Sequence, residues 1–418
     1  MNGEDRPMFR PWMIVGLLWL VAMLNYLDRL MITTMRDSIK ADISMTDAQF
    51  GLLTAVFLWI YGALSPLGGF LADRYSRSRV IIGSILVWSI ITFLTGLCTT
   101  FEQLFWARAL MGISEACYIP AALALIADYH RGSTRSLATG IHMSGVYAGS
   151  ALGGIGGVIA ERFSWQVGFS GFGIFGVLYA VVLVLLLRDV KHSESGPVVD
   201  AGELQGDGPD GKGNISPFSA VKDLLTKPSF YVMVCHVSLL ALAFWGINGW
   251  LPTCLKEHFK MGQGAAGMSA TGYIQVASFF GILIGGTLAD RWIRRSERGR
   301  IWVPMIGFAI AGPCLFMSAS TDIFYIAIIG LVIFGLARGF SDANMMPILC
   351  QVVDKRYRAT GYGVMNFCSC MVGGAMIYVG GWLKDNKVDL SRIFQVAAVG
   401  LFIAAMLLFL VKPKKEEQ

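Results

Sequence analysis

Over 418 residues, 55% are hydrophobic, the mean hydropathy is +0.59 and only 15% are charged, which excludes an ordinary soluble domain with roughly a quarter of its residues charged. The 34 basic and 28 acidic residues leave a net charge of +6. The basic residues sit in short loops between apolar runs, so the excess reads as membrane orientation and not as nucleic-acid binding.

A membrane crossing needs about twenty residues, and the chain offers twelve such stretches. In chain order they fall near 12–34, 48–72, 79–98, 102–128, 136–160, 166–187, 230–256, 267–291, 301–319, 322–350, 358–384 and 391–411. The run from Met13 to Leu27 leads into charged residues and not into a small-residue cleavage site, so it reads as a first span and not as a signal peptide. Residues 188–229, rich in Gly, Ser, Pro and Asp, show no apolar periodicity and read as a flexible cytoplasmic linker, with a short interfacial helix near 218–225. The expected organisation is all-α: one six-helix bundle over 1–187, the linker, and a second six-helix bundle over 230–418.

One pattern is written twice. Gly69-Phe-Leu-Ala-Asp73-Arg74-Tyr-Ser-Arg77 returns 217 positions later as Gly286-Thr-Leu-Ala-Asp290-Arg291-Trp-Ile-Arg294, each time at the end of an apolar stretch. A duplicated charged turn between hydrophobic helices indicates two copies of one membrane-embedded half, an organisation typical of secondary transporters. The expected role of these turns is conformational gating. With both termini and the linker on one side, that side collects 23 basic residues, the other collects eight, and three more (Arg29, Arg108 and Arg338) fall within spans. This bias places both termini in the cytoplasm of a cell whose plasma (inner) membrane holds the protein.

Charges within spans cost on the order of 3 kcal/mol each on insertion scales, so they mark function. Asp28 and Arg29 lie on span one, Arg108 and Glu115 on span four, and Arg338 and Asp342 on span ten. Arg108 and Glu115 are seven apart and share a helix face, whereas the neighbours Asp28 and Arg29 point about 100° apart. Glu115 precedes Pro120 by five residues as Asp342 precedes Pro347, so Asp342 is the repeat counterpart of Glu115. The Arg338–Asp342 spacing equally fits a self-neutralising i,i+4 pair. Tyr26, Tyr61, Tyr147, Asn248, Asn344 and Asn366 are candidate substrate contacts. Asn25, His142, Trp245 and Gln275 are further polar or aromatic candidates, each equally explained as a helix-packing side chain. Gly145, Gly149, Gly153 and Gly157 recur every four residues on span five, a spacing that lets helices approach closely. The eight cysteines (98, 117, 235, 254, 314, 350, 368 and 370) show no CxxC pair and no companion His-rich cluster, so no metal, cofactor or disulfide is expected. The absence of a nucleophile elbow or phosphate loop argues against an enzyme.

With these residues placed, the chain resembles the major facilitator superfamily over nearly its whole length, on the strength of both Gly-x-Leu-Ala-Asp-Arg-x-x-Arg turns. Asn25-Tyr26-Leu27-Asp28-Arg29, the segment Arg108 to Ala116, and Asn366 resemble the anion:cation symporter branch, with its sugar-acid/proton symporters and sialin-like carriers. The resemblance implies that Asp28 and Glu115 exchange protons, that Arg29 and Arg108 bind or gate a carboxylate, and that Asn366 lines the substrate path. Gly112 to Tyr118 and Ile126-Ala-Asp128 also resemble the spinster-like lipid carriers, the alternative reading. Drug antiporters carry a Gly-Pro step on span five where this chain has Gly153-Gly154. The expectation is a monomeric carrier in the lipid bilayer, taking up a small organic anion such as a hexuronate or aldonate with protons.

Overall fold

The computed structural model describes residues 9–130, 134–189, 224–354 and 357–412. Most of the expected linker, including all but the last two residues of the interfacial helix near 218–225, lies outside these residues, as do Arg131, Lys355 and Arg356 and the side chains of Gly69 and Asp73. The described residues form helices and no strands, and twelve stretches are long and apolar enough to cross a membrane. Where no water is at hand to bond exposed backbone, a helix is the economical way to satisfy every N–H and C=O.

The helices are α1 (Phe9–Thr34), α2 (Arg36–Asp42), α3 (Asp47–Arg74), α4 (Arg77–Thr95), α5 (Phe101–Glu115), α6 (Tyr118–Tyr129), α7 (Arg135–Leu152), α8 (Ile155–Arg162) and α9 (Trp165–Leu186). They continue as α10 (Pro228–Phe259), α11 (Gln263–Ile293), α12 (Gly299–Ser320), α13 (Phe324–Val352), α14 (Arg358–Asp385) and α15 (Leu390–Leu410). Starts are marked by side-chain caps: Thr46 forms a full capping box with Gln49, and Thr100, Ser164 and Asp389 accept from the backbone N–H groups of Gln103, Val167 and Ser391.

Spans four and five are each broken once. Span four divides into α5 and α6 immediately after Glu115. Pro120 has no N–H and its ring crowds the carbonyl four residues back, at Ala116, so the helix loosens there. Span five divides into α7 and α8 at the Gly153-Gly154 step.

Contacts group the described residues into two compact units, one within Met1–Glu194 plus Lys260–Gly272, the other within Ser195–Phe259 plus Tyr273–Gln418. In the first unit α1 packs along α7, α3 on α5, and α4 on α9 and α5. In the second the corresponding pairings recur: α10 along α14, α12 on α15 and α13, and α11 on α13, where Ser278 donates to the Gly335 carbonyl at 2.9 Å. The duplicated sequence thus has a duplicated pattern of neighbours.

The glycines of span five account for the α1–α7 contact. A Cβ on Gly145 would lie 2.5 Å from the Trp19 carbonyl oxygen, and one on Gly153 would lie 2.8 Å from Leu30 Cβ. The first unit also takes in the start of α11. Gly264 donates its N–H to Glu161 at 2.7 Å, Gln263 donates its amide to the Thr34 carbonyl at 3.0 Å, and Thr271 donates to the Ala151 carbonyl at 2.8 Å.

Gly112 fixes how closely α5 approaches α3, since a Cβ there would fall 2.8 Å from the Phe57 carbonyl oxygen and 3.3 Å from Ile60 Cβ. Gly112→Ala should lower the thermal midpoint of the detergent-purified protein through an overpacking cost of about 1–3 kcal/mol, and Gly112→Leu should lower it further. An unchanged midpoint for Gly112→Leu would show that the two helices separate without cost.

Candidate functional site

The four span charges of the first unit come together. Arg29 of α1 donates from Nε to Glu115 Oε2 of α5 at 2.6 Å, and both side chains are fully or almost fully buried. The Arg29 guanidinium lies over aromatic faces, 4.3 Å from the Tyr61 ring centre, 4.6 Å from Tyr26 and 5.2 Å from Phe57. Arg108 lies 4.6 Å from the same Phe57 ring, donates to the Leu53 carbonyl at 3.4 Å and approaches the Met111 sulfur at 3.2 Å. Asp28 accepts the Thr92 hydroxyl of α4. The roughly 100° between Asp28 and Arg29 along the helix turns one toward α4 and the other toward α5.

Several polar atoms in this cluster are buried without a hydrogen-bond partner among the described residues: Asp28 Oδ1, Arg29 Nη2, Arg108 Nη2, Glu115 Oε1 and both amide atoms of Asn25. Buried polar atoms are ordinarily paired, and each exception needs a reason. Here they belong to one site built of two carboxylates and two guanidiniums, balanced in charge when all four are ionised.

One ring and one hydroxyl in this site had no sequence signal. Phe57 sits in an unbroken apolar run, and Thr92 lies at least ten positions from any charge. Tyr147 is buried on α7.

The second unit has its own polar chain. The Arg338 guanidinium lies 3.5 Å from the Phe244 ring centre, pairs with Asp342 at 3.4 Å and donates to Gln275 at 3.3 Å. Gln275 in turn donates to Asn248 at 3.4 Å. Asn248 donates to the Phe244 carbonyl at 2.8 Å, and Asn344 donates to the Phe340 and Gly285 carbonyls at 2.8 and 3.3 Å. Asn366 is half-buried on α14. Among the described residues no three His, Cys, Asp or Glu side chains gather as metal ligands would.

The duplicated turns are differently tied. Arg77 pairs with Asp128 and donates to the Ala124 carbonyl at 3.3 Å, while Arg74 lies 6.0 Å from the Phe70 ring centre. In the repeat, Asp290 pairs with Arg300 at 3.3 Å, Gly286 faces Ala343, and Arg291 and Arg294 are exposed. The first turn carries a clasp that sequence reading passed over. Asp189, just beyond α9, accepts the Ser78 N–H at 2.8 Å and the Ser78 hydroxyl at 2.7 Å, together with the Ser76 hydroxyl, and so caps the start of α4 from outside.

Partial burial pushes the Asp189 carboxyl up, but the hydrogen bonds from Ser76 and Ser78 and the Arg77 charge outweigh it and hold the group below the usual carboxylate range. A carboxyl depressed on folding stabilises fully above its unfolded value, near 4, and loses that contribution as pH falls through the folded value. Asp189→Asn should therefore lower the thermal midpoint at neutral pH, with the gap to the native protein narrowing once pH falls below about 4. A gap that does not narrow below that pH would deny the clasp its charge.

Residues 18–378 match the profile of the Major Facilitator Superfamily. An MFS-type efflux pump of Mycolicibacterium smegmatis is 27% identical over 404 residues, covering 95% of this chain and 90% of its own. A hexuronate transporter of Bacillus subtilis is 25% identical over 419 residues, covering 96% and 94%. Among solved structures, a bacterial homolog of the human lysosomal transporter spinster, inward-facing and unoccupied, superposes with a TM-score of 0.77 at 23% identity, covering 98% of each chain.

Proposed function

The chain belongs to the Major Facilitator Superfamily and is a transporter, and on that footing we propose that it takes up a small organic anion together with protons. The observation that carries this reading is the buried, charge-balanced cluster of Asp28, Arg29, Arg108 and Glu115, with Arg29 held by Glu115 at 2.6 Å. An anion entering the site competes for the guanidiniums. When Arg29 turns to the anion, Glu115 is a buried charge without its counter-ion and takes a proton instead. Proton and anion each favour the other's binding, and the help is reciprocal. Loaded with both, the cluster is again balanced; loaded with one, it carries a net charge through a low-dielectric layer and crosses less readily.

Arg29 and Arg108, both laid against Phe57, bind the anion. Tyr26, Tyr61 and Tyr147 in the first unit, and Asn248, Asn344 and Asn366 in the second, contribute hydroxyl and amide recognition. The likeness to a hexuronate transporter supports an acidic sugar as the substrate class. The efflux-pump relative leaves uptake to rest on the coupling chemistry and on span five, which breaks at Gly153-Gly154 where a drug antiporter has its Gly-Pro step. Transport proceeds by alternating access, gated by the turns around Asp73 and Asp290, to which Arg74, Arg77, Arg291 and Arg294 contribute the positive charge. The 23-to-eight distribution of basic residues supports cytoplasmic termini in an inner membrane, and one chain suffices as the working unit.

A thermal-shift screen of the purified protein against hexuronates, aldonates and other organic anions selects the substrate. With that substrate, Glu115→Gln in liposomes should keep counterflow exchange, which never requires the loaded site to release a proton, and lose accumulation driven by an imposed pH gradient. Asp28→Asn should do the same or worse. Arg108→Lys should weaken binding although the charge is kept, because an ammonium cannot replace a planar fork of donors. Full gradient-driven accumulation by both acid variants would overturn proton symport and favour a uniporter or a lipid carrier.

A further inference from the structure

Beyond the charged cluster, the first unit buries further titratable side chains that the coupling scheme does not use, His142 among them. His142 of α7 is fully buried, and neither ring nitrogen has a hydrogen-bond partner among the described residues. Its ring meets the Tyr118 ring edge-on, with centres 6.0 Å apart. The Tyr118 hydroxyl donates to the Leu18 carbonyl of α1 at 2.8 Å. That carbonyl also bears on the imidazole as a weak acceptor, without meeting the geometry of a full hydrogen bond to either ring nitrogen.

The register of α1 against α7 says where this is. Gly145 packs on Trp19, Gly149 on Met23 and Gly153 on Leu30, so the two helices run in the same direction and His142, one turn before Gly145, lies toward the start of α1. Leu18 is ten residues before Asp28, about 15 Å along the axis at 1.5 Å per residue. Positions 18, 22, 25 and 29 follow the helical repeat and share one face of α1. That face runs from the Leu18 carbonyl over the small side chain of Ala22 to Asn25, whose amide oxygen and nitrogen are both without partners among the described residues, and then to Arg29, which holds Glu115. Asn25 and His142, two buried side chains whose polar atoms are unpartnered among the described residues, therefore lie in succession from the Arg29–Glu115 pair toward the end of the bundle where α1 begins.

We propose that His142 relays the coupling proton between the Asp28–Glu115 site and that end of the membrane, with Asn25 as the positioning residue between them. The inference rests on the proton-coupled reading above. On release, the protonated carboxyl gives its proton to an imidazole nitrogen of His142 by way of water held against the Asn25 amide. The carboxylate returns to its arginine, and the imidazolium sheds the proton at the end where α1 begins. Asn25 holds the path and carries no proton itself. Such His and carboxylate chains are a recurrent use of ionisable groups inside membranes.

The proton itself is the probe. A pH jump is applied to proteoliposomes at the face that carries the start of α1, and the carboxyl stretch of the protein is followed by time-resolved infrared spectroscopy, with Glu115→Gln and Asp28→Asn assigning the band. His142→Asn, which keeps a hydrogen-bonding side chain but does not take up a proton, should slow the band's rise about a hundred-fold and leave its final amplitude unchanged. His142→Glu, which titrates, should recover the rate to within about ten-fold. A wild-type rate in His142→Asn overturns the relay. Equal slowing in His142→Asn and His142→Glu also overturns it, and assigns His142 to packing. A native protein with no pH-responsive carboxyl band would instead remove the coupling reading itself, and the relay with it.

Discussion

The pair between Arg29 and Glu115 organises this protein. Two opposite charges in a medium of low dielectric are tolerable together and not apart: deleting one partner of a buried pair costs about 3–5 kcal/mol, because the other charge is stranded. That penalty is a liability in a static protein. In the symport proposed above it would be the source of coupling, since whatever takes Arg29 from Glu115 must be matched by something that cancels the charge left behind. Phe57 adds to this by lying under both guanidiniums. A ring face attracts cations without bonding them, so it holds the arginines near the carboxylates while leaving their N–H donors to other partners.

Holding four charges in register requires a stiff frame, and the frame is made of small residues and breaks. Gly112 brings α5 against the backbone of α3 near Phe57, and the stripe from Gly145 to Gly153 brings α7 against α1. Without a hydrophobic force between helices in lipid, such close approach is what gives an interface its packing energy. Pro120 interrupts span four just after Glu115, so the acid occupies the last position of a helix, where the backbone is already departing from regularity.

Much of this was legible in the sequence, for identifiable reasons. Span lengths are dictated by bilayer thickness, so the twelve expected stretches lie within a few residues of the observed helices. A charge in an apolar run is conspicuous, so Asp28, Arg29, Arg108 and Glu115 stood out individually. Which acid meets which arginine was not visible, because Glu115 shares a helix face with Arg108 yet bonds Arg29 from another helix. Phe57 and Thr92 were silent because an aromatic or a hydroxyl in an apolar run has many ordinary explanations. Asp189 was read with the linker, since nothing in the chain order announces that it caps a helix more than a hundred residues earlier.

The start of α11 belongs with the first unit, although it is made after the linker and α10. Glu161, Thr34 and Ala151 receive their partners at Gly264, Gln263 and Thr271 only once that stretch has been synthesised. During biogenesis the leading bundle is therefore inserted before it is finished. For the interval needed to translate some seventy further residues, from Asp189 to Gln263, the Glu161 carboxylate awaits a backbone donor that the ribosome has yet to deliver. Two separately expressed fragments divided at the linker would inherit the same incompleteness, because the piece that completes the first fragment is encoded in the second.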